Sequence, residues 1–185
     1  MTIQFLFVAA QWPHGQLAQG HFEDVFGPTP LTEQFISSNK NFKVVSASCG
    51  RRHTLVVTKD HGVWVCGANL YGQLGLPDTS NNYPEFSCIN ECFRLDSCRK
   101  LVKSSHCGYN YSYFITTDDQ VWACGSNSNN KLGFDAQVKK IVMPQRLILI
   151  NSTNTGNTNQ MQWNVACGHF HAVFYKTLSN VTKTM

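Results

Sequence analysis

The chain repeats itself. The stretch "CGRRHTLVVTKDHGVWVCGANLYGQLGL", Cys49 to Leu76, returns 58 residues later as "CGYNYSYFITTDDQVWACGSNSNNKLGF", Cys107 to Phe134. Laid over each other without gaps, 11 of 28 positions are identical. Average residue usage gives roughly two by chance. A third copy opens at Cys167 with "CGHFHAVFY", and the back end of an earlier one is visible in "FLFVAAQWPHGQLAQG", where Gly15-Gln16-Leu17 falls on Gly72-Gln73-Leu74. A period of this size means repeated supersecondary units that bury their faces on one another. The expected organisation is one repeat domain over 1–185: the back half of a unit over 1–42, full units over 43–100 and 101–160, and the front half of a unit over 161–185.

Each unit reads as short strands. "KVVSAS" runs into Cys49-Gly50, "HTLVVT" follows from His53, and a turn at Lys59-Asp60-His61-Gly62 leads into "VWVCG". Runs of β-branched and aromatic residues bounded by Gly, Asp or Asn are strand signals. Gly62 is the expected donor of the positive φ that a hairpin turn needs. The second copy has Gln120 there, so its turn is expected to differ in type or carry slight strain. Only 85–95, "EFSCINECFRL", approaches a helical pattern, and it reads equally as a turn of helix or a strand. The Asn- and Thr-rich 150–160 reads as an insert between strands. Trp64 and Trp122 sit mid-strand at matching positions, which predicts core fillers between units, with Trp64→Ala costing about 3–5 kcal/mol.

The repeat also disposes of most chemical readings. Cys49, Cys107 and Cys167 share one repeat position and Cys66 and Cys124 another, so five of the eight cysteines read as small packing residues. Cys88, Cys92 and Cys98, with C-x3-C-x5-C spacing, lack the tight pairs of a zinc site even with His106 nearby, and no metal is expected. His53 lies four residues after Cys49 and His171 four after Cys167, a superficial nucleophile–base pair. The second copy places Tyr111 at the His position, so a structural histidine is the better reading. No phosphate loop or metal-spaced His cluster appears, and neither an enzyme nor a cofactor is expected. The net charge of +4 is mild, and the basic groups read as solvated surface rather than a nucleic-acid footprint. No apolar run reaches transmembrane length, and "MTIQFLFVAA" lacks a basic leader and aligns with a strand. A cytoplasmic or nuclear protein without a membrane partner is expected.

Units of several short strands at this period point to a radial β-propeller. The residues Cys49, Gly50, His53, Thr54, Asp60, Gly62, Gly67, Asn69, Gly72, Gln73, Leu74 and Gly75 resemble a repeat of the regulator of chromosome condensation family. The resemblance implies an all-β fold, a partial propeller of about three blades, and hence a fragment of a ring that typically has seven. It also implies that Cys49, Gly50, His53, Trp64, Gly67, Gly72 and Gly75 are structural, with Cys107, Gly108, Trp122, Gly125, Gly133, Cys167, Gly168 and His171 at the corresponding positions. Cys66 and Cys124 depart from the family's usual Trp, and Asn130-Lys131 from its Gly-Gln. The terminal halves are complementary, so self-association of two copies into a ring is a second expectation.

Function is then expected in the loops that the repeat does not dictate. The loop after each Cys-Gly holds Arg51-Arg52, Tyr109-Asn110 and His169-Phe170 at equivalent positions, residue types favoured at interface hot spots. These six are the candidate partner-binding residues of a non-catalytic protein-interaction module. The family's founding member is an exchange factor for the small GTPase Ran, so the resemblance also implies part of a guanine-nucleotide exchange factor. Other members carry such repeats in ubiquitin ligases and scaffolds, so fold alone does not choose.

Overall fold

Runs of four to eight residues rich in Val, Thr, Tyr and Phe form most of the strands, as their packing on a pleated surface favours. The computed structural model describes residues 7–10, 14–31, 42–95, 98–149 and 161–178. In chain order the strands are β1 (Phe7–Ala10), β2 (Val25–Pro30), β3 (Val44–Cys49), β4 (His53–Thr58), β5 (Val63–Ala68), β6 (Asn82–Cys88), β7 (Arg94–Leu95), β8 (Cys98–Arg99), β9 (Val102–Cys107), β10 (Tyr111–Thr116), β11 (Val121–Ser126), β12 (Lys140–Leu147), β13 (Met161–Cys167) and β14 (Ala172–Leu178). The ambiguous stretch 85–95 divides: strand runs to Cys88, and a single 3-10 turn follows at Asn90–Cys92. The insert 150–160 lies outside the described residues.

Two four-stranded antiparallel meanders, β3-β4-β5-β6 and β9-β10-β11-β12, form the centre of the arc. The two-stranded sheets β1-β2 and β13-β14 precede and follow them, and β7-β8 is a short hairpin in the connection. The meanders share one register. His53 faces Gly67 and Val56 faces Trp64 in the first; Tyr111 faces Gly125 and Phe114 faces Trp122 in the second. Each third strand then breaks register with the fourth at the same place, between Val65 and Gly67 and between Ala123 and Gly125. The main core lies between successive sheets, where Leu55, Val57 and Val65 join Val102, Tyr113 and Ile115. Tyr113 continues it onto Phe174 of β14, ring centroids 5.1 Å apart. Sheets that pack side by side in sequence order are the blades of a partial β-propeller.

Two expectations need correction. The positive φ of the hairpin turn belongs to His61 (63°) and Asp119 (59°), one residue before Gly62 and Gln120. Both loops are the same three-residue turn. The His61 and Asp119 amides donate to the carbonyls of Thr58 and Thr116, and the Thr hydroxyls donate to Asp60 and Asp118 at 2.5 Å. Such a loop needs its left-handed residue after the type I turn, and Asp and His tolerate it better than most. Gln120 therefore changes nothing in the turn type. The second correction concerns the tryptophans. Trp122 is buried, but Trp64 is only partly so, lying against Phe42 at 5.6 Å on the side of the smaller cluster formed by Ala18, Leu31, Val56, Cys66 and Phe86. The pair is equivalent in register and unequal in burial.

Candidate functional site

The Cys-Gly dipeptide opens the same turn three times. The amides of Gly50, Gly108 and Gly168 donate to the carbonyls of His53, Tyr111 and His171, each at 2.8 Å. The ring of the residue three positions on folds back over the glycine. A Cβ on Gly50 would overlap the His53 ring, one on Gly108 the Tyr111 ring, and one on Gly168 would come within 2.8 Å of His171 Cε1. Glycine is required here for a close approach.

The folded-back rings reach the next unit. His53 Nε2 lies 3.0 Å from Ser112 Oγ, and Ser112 in turn donates to the Gln73 carbonyl at 2.6 Å. The proton order is thereby set: His53 carries its hydrogen on Nε2 and donates to Ser112. Tyr111 donates through its hydroxyl towards the carbonyls of Gly168 (2.8 Å) and His171 (2.7 Å). The glutamine carbonyls are a second recurring joint. Gln16 O accepts from Thr54 Oγ1 (2.8 Å) and Cys66 Sγ (3.4 Å), and Gln73 O accepts from Ser112 Oγ and from Cys124 Sγ at 3.5 Å. These joints explain why Cys66 and Cys124 are tolerated: the thiol is a small group with a weak donor in the right place. Gln73, with Gln16 aligned to it, stands in the repeat signature, but the signature gives its carbonyl no role and leaves Ser112 out. The Thr54/Ser112 match, a hydroxyl kept without identity, was the available signal.

Burial holds the His53 imidazole neutral, lowering its pKa from 6.5 to about 4. The unfolded chain therefore takes up a proton first as pH falls. The contribution is present above about pH 6.5 and lost progressively towards pH 4, on the order of 3 kcal/mol. Half-buried His106 is shifted in the same direction. Denaturant unfolding of wild type and His53→Gln between pH 7.5 and 4.5 measures it. Glutamine places an amide N–H where Nε2 stands, so the variant is expected to keep the joint and lose most of this slope. An unaltered slope would exclude His53 as its source.

The candidate loop residues converge. Tyr109 stacks on His169 with centroids 3.5 Å apart and 19° between planes. His169 meets Phe170 at 4.0 Å, and the Arg51 guanidinium lies over the other side of the row, 4.6 Å from the Tyr109 centroid. The Arg51 amide also donates to the Tyr109 carbonyl at 3.2 Å. Residues from three units thus form one continuous ladder. It borders a recess of about 280 Å³ lined by Cys49, Gly50, Arg51 and their counterparts in the other two units. Arg51, His169 and Phe170 are exposed. Arg52 and Asn110 differ in role, since their carbonyls accept from the amides of Ala68 (2.7 Å) and Ser126 (2.9 Å) and pin the loop to the third strand. The positive-φ glycines of the bulges, Gly67 and Gly125, make room for those carbonyls.

The rest of the repeat signature is scaffold. Asn69 donates to the carbonyls of Leu76 and Asp78 and accepts from the Leu74 amide, and Asn127 repeats all three bonds with Asp135, Val138 and Leu132. Gly72 and Gly75, both at positive φ, pack against Val142 and Pro144 of the next sheet, and Gly133, also at positive φ, lies by Leu147. Burial pushes the Cys167 thiol up to about 12 and raises Cys66, Cys107 and Cys124, which is the opposite of an activated nucleophile. Cys88 and Cys98 are exposed, Cys92 turns its thiol towards the Gly75 carbonyl, and among the described residues no three His, Cys, Asp or Glu side chains group as metal ligands. Among the described residues no helix is long and apolar enough to cross a membrane.

Comparison with known proteins places these repeats. Models of the regulator of chromosome condensation (RCC1) repeat match residues 13–57 and 60–115, and 44–73 and 106–131. The bovine secretion-regulating guanine nucleotide exchange factor is 33% identical over 149 residues, covering 80% of this chain and 30% of that protein. The canine X-linked retinitis pigmentosa GTPase regulator is 34% identical over 143 residues, 77% of this chain and 13% of that protein. The chain thus spans less than a third of the length of either relative. Among solved structures, Prp20p of Saccharomyces cerevisiae, whose binding properties to Gsp1p and histones are described, superposes with a TM-score of 0.71 at 18% identity over 97% of this chain and 41% of its own.

Proposed function

The chain belongs to the regulator of chromosome condensation (RCC1) repeat family, and on that premise we propose that it is a non-catalytic protein-interaction module whose partner docks on the Cys-Gly loop face. The observation that carries this reading is the ladder. Arg51, Tyr109, His169 and Phe170 come from three units and expose aromatic and guanidinium surface, and the first three line a recess. Rigid aromatic and arginine side chains in fixed mutual contact bind with little loss of rotamer freedom. Arg52 and Asn110 set the shape of the loops that present them.

A second reading makes the partner a small GTPase and the chain part of an exchange factor. It is supported by the bovine relative named as such and by the yeast protein that binds Gsp1p. Exchange of this kind needs a displacing surface rather than a catalytic side chain. One experiment addresses both readings, with immobilised chain and nucleotide-free GTPase of the Gsp1p type. Wild type is expected to retain the GTPase, and a variant with serine at all six loop positions to lose at least about tenfold in affinity while keeping its cooperative unfolding and far-UV strand signal. Equal retention by the two proteins would rule out this face. Release of fluorescent GDP separates the readings: acceleration supports exchange, and binding without acceleration leaves an interaction module.

A further inference from the structure

Arg51 and Arg52 carry two positive charges at the head of the ladder, and among the described residues neither has a carboxylate within ion-pair distance. The acidic side chains that are paired, Glu91, Asp118 and Asp119, are taken up by Arg94, Arg99, Lys100 and Lys103. The two arginines also act on the same neighbour, since both help to lower the pKa of His14, after its burial. Arg51 is not free to wander. Its guanidinium carbon sits 4.6 Å from the Tyr109 centroid and its amide is bonded to the Tyr109 carbonyl, and among the described residues no hydrogen bond takes up the guanidinium N–H groups. A stacked guanidinium with an open edge is a ready receptor for a planar bidentate acceptor. At the opposite end, beyond Tyr109 and His169, the ladder finishes in Phe170, which is 59% exposed.

Resting on the reading of this face as the docking surface, we infer that its partner presents an acidic segment, with Asp or Glu carboxylates on Arg51 and Arg52 and an aromatic or aliphatic side chain against the His169–Phe170 end. Carboxylate is favoured over a nucleic-acid backbone because the face offers two adjacent positive charges on a chain of net charge +4, short of the basic stripe that tracks a phosphate backbone but enough for a short acidic segment.

The probe is a fluorescein-labelled peptide, Asp-Glu-Asp-Glu-Phe-Gly, with an amide counterpart, Asn-Gln-Asn-Gln-Phe-Gly, titrated with the full chain and read by polarisation. The acidic peptide is expected to bind, to weaken as salt rises, and to lose about tenfold or more in Arg51→Ala/Arg52→Ala. The Arg51→Lys/Arg52→Lys variant keeps charge without the planar fork and is expected to fall between. Equal binding of the two peptides, or equal binding by wild type and either double variant, would overturn the inference. So would a single-stranded DNA oligonucleotide binding through these arginines more tightly than the acidic peptide. Failure here with the GTPase still lost by the six-serine variant would discard the acidic segment and leave the face in place.

Discussion

Gly108→Ala is expected to destabilise the protein by more than about 3 kcal/mol, lowering the melting temperature by roughly 6–12 °C. The cause is collision, not backbone conformation, because φ at Gly108 is not in the left-handed region. A Cβ there would overlap the Tyr111 ring at Cζ and Cε1. That ring is fully buried, and its hydroxyl is bonded to the carbonyls of both Gly168 and His171. It can yield only by releasing the next unit. The contrast is Gly27, whose added Cβ would meet nothing within 4 Å. Gly27→Ala is expected to be neutral or slightly stabilising. The mechanism is checked by a double-mutant cycle. Adding Gly108→Ala to Tyr111→Ala should cost far less than adding it to wild type, and an equal cost in both backgrounds would show that the tyrosine ring is not what the methyl meets.

That result would bear on what the repeat makes legible. Cys-Gly recurs in the sequence, and so does a ring three positions after the glycine, as His53, Tyr111 and His171. The second copy places Tyr where the others have His. In the fold both residues cover the glycine and reach the following unit, His53 through Ser112 and Tyr111 through backbone carbonyls. What the position requires is a ring with a polar tip, which identity counting does not measure. The same holds for Thr54 and Ser112, which supply the same hydroxyl to equivalent glutamine carbonyls.

The short strands of each unit and the repeat position of Asn69 are legible because each is dictated locally and occurs twice. In the hairpin turn the left-handed position falls on His61 and Asp119, one residue before the expected glycine, because Asp and His also tolerate that conformation and the loop length sets which residue adopts it. Gly62 answers instead to crowding by the Thr58 hydroxyl and the Trp64 indole. The loop face shows the other limit. Equivalence places Arg51, Tyr109 and His169 at corresponding positions, and a radial arrangement of blades brings such positions to one face. Their stacking into a single row depends on distances between units, and no local pattern encodes those.

Packing between units also decides the second large effect, at Trp122 rather than Trp64. Trp122 is 3% exposed and meets Phe93 edge-on at 5.9 Å, with Phe93 in turn 4.9 Å from Phe114. Phe93 comes from the connection that follows the preceding blade, so Trp122 joins two units. Trp122→Ala is expected to cost about 3–5 kcal/mol, whereas partly exposed Trp64 should cost clearly less, about 1–2 kcal/mol. The indole Nε1 of Trp122 is buried with no hydrogen-bond partner among the described residues. Trp122→Phe would remove that unmet donor along with some volume. The two changes oppose each other, and a net cost under about 1.5 kcal/mol is expected. Urea unfolding of the three variants, followed by the loss of far-UV strand signal, provides the comparison. Equal costs for the two alanine variants would mean that equivalence in the repeat, and not burial between blades, sets what each tryptophan contributes. A Trp122→Phe as damaging as Trp122→Ala would mean that the lost indole volume outweighs the buried, unpaired N–H.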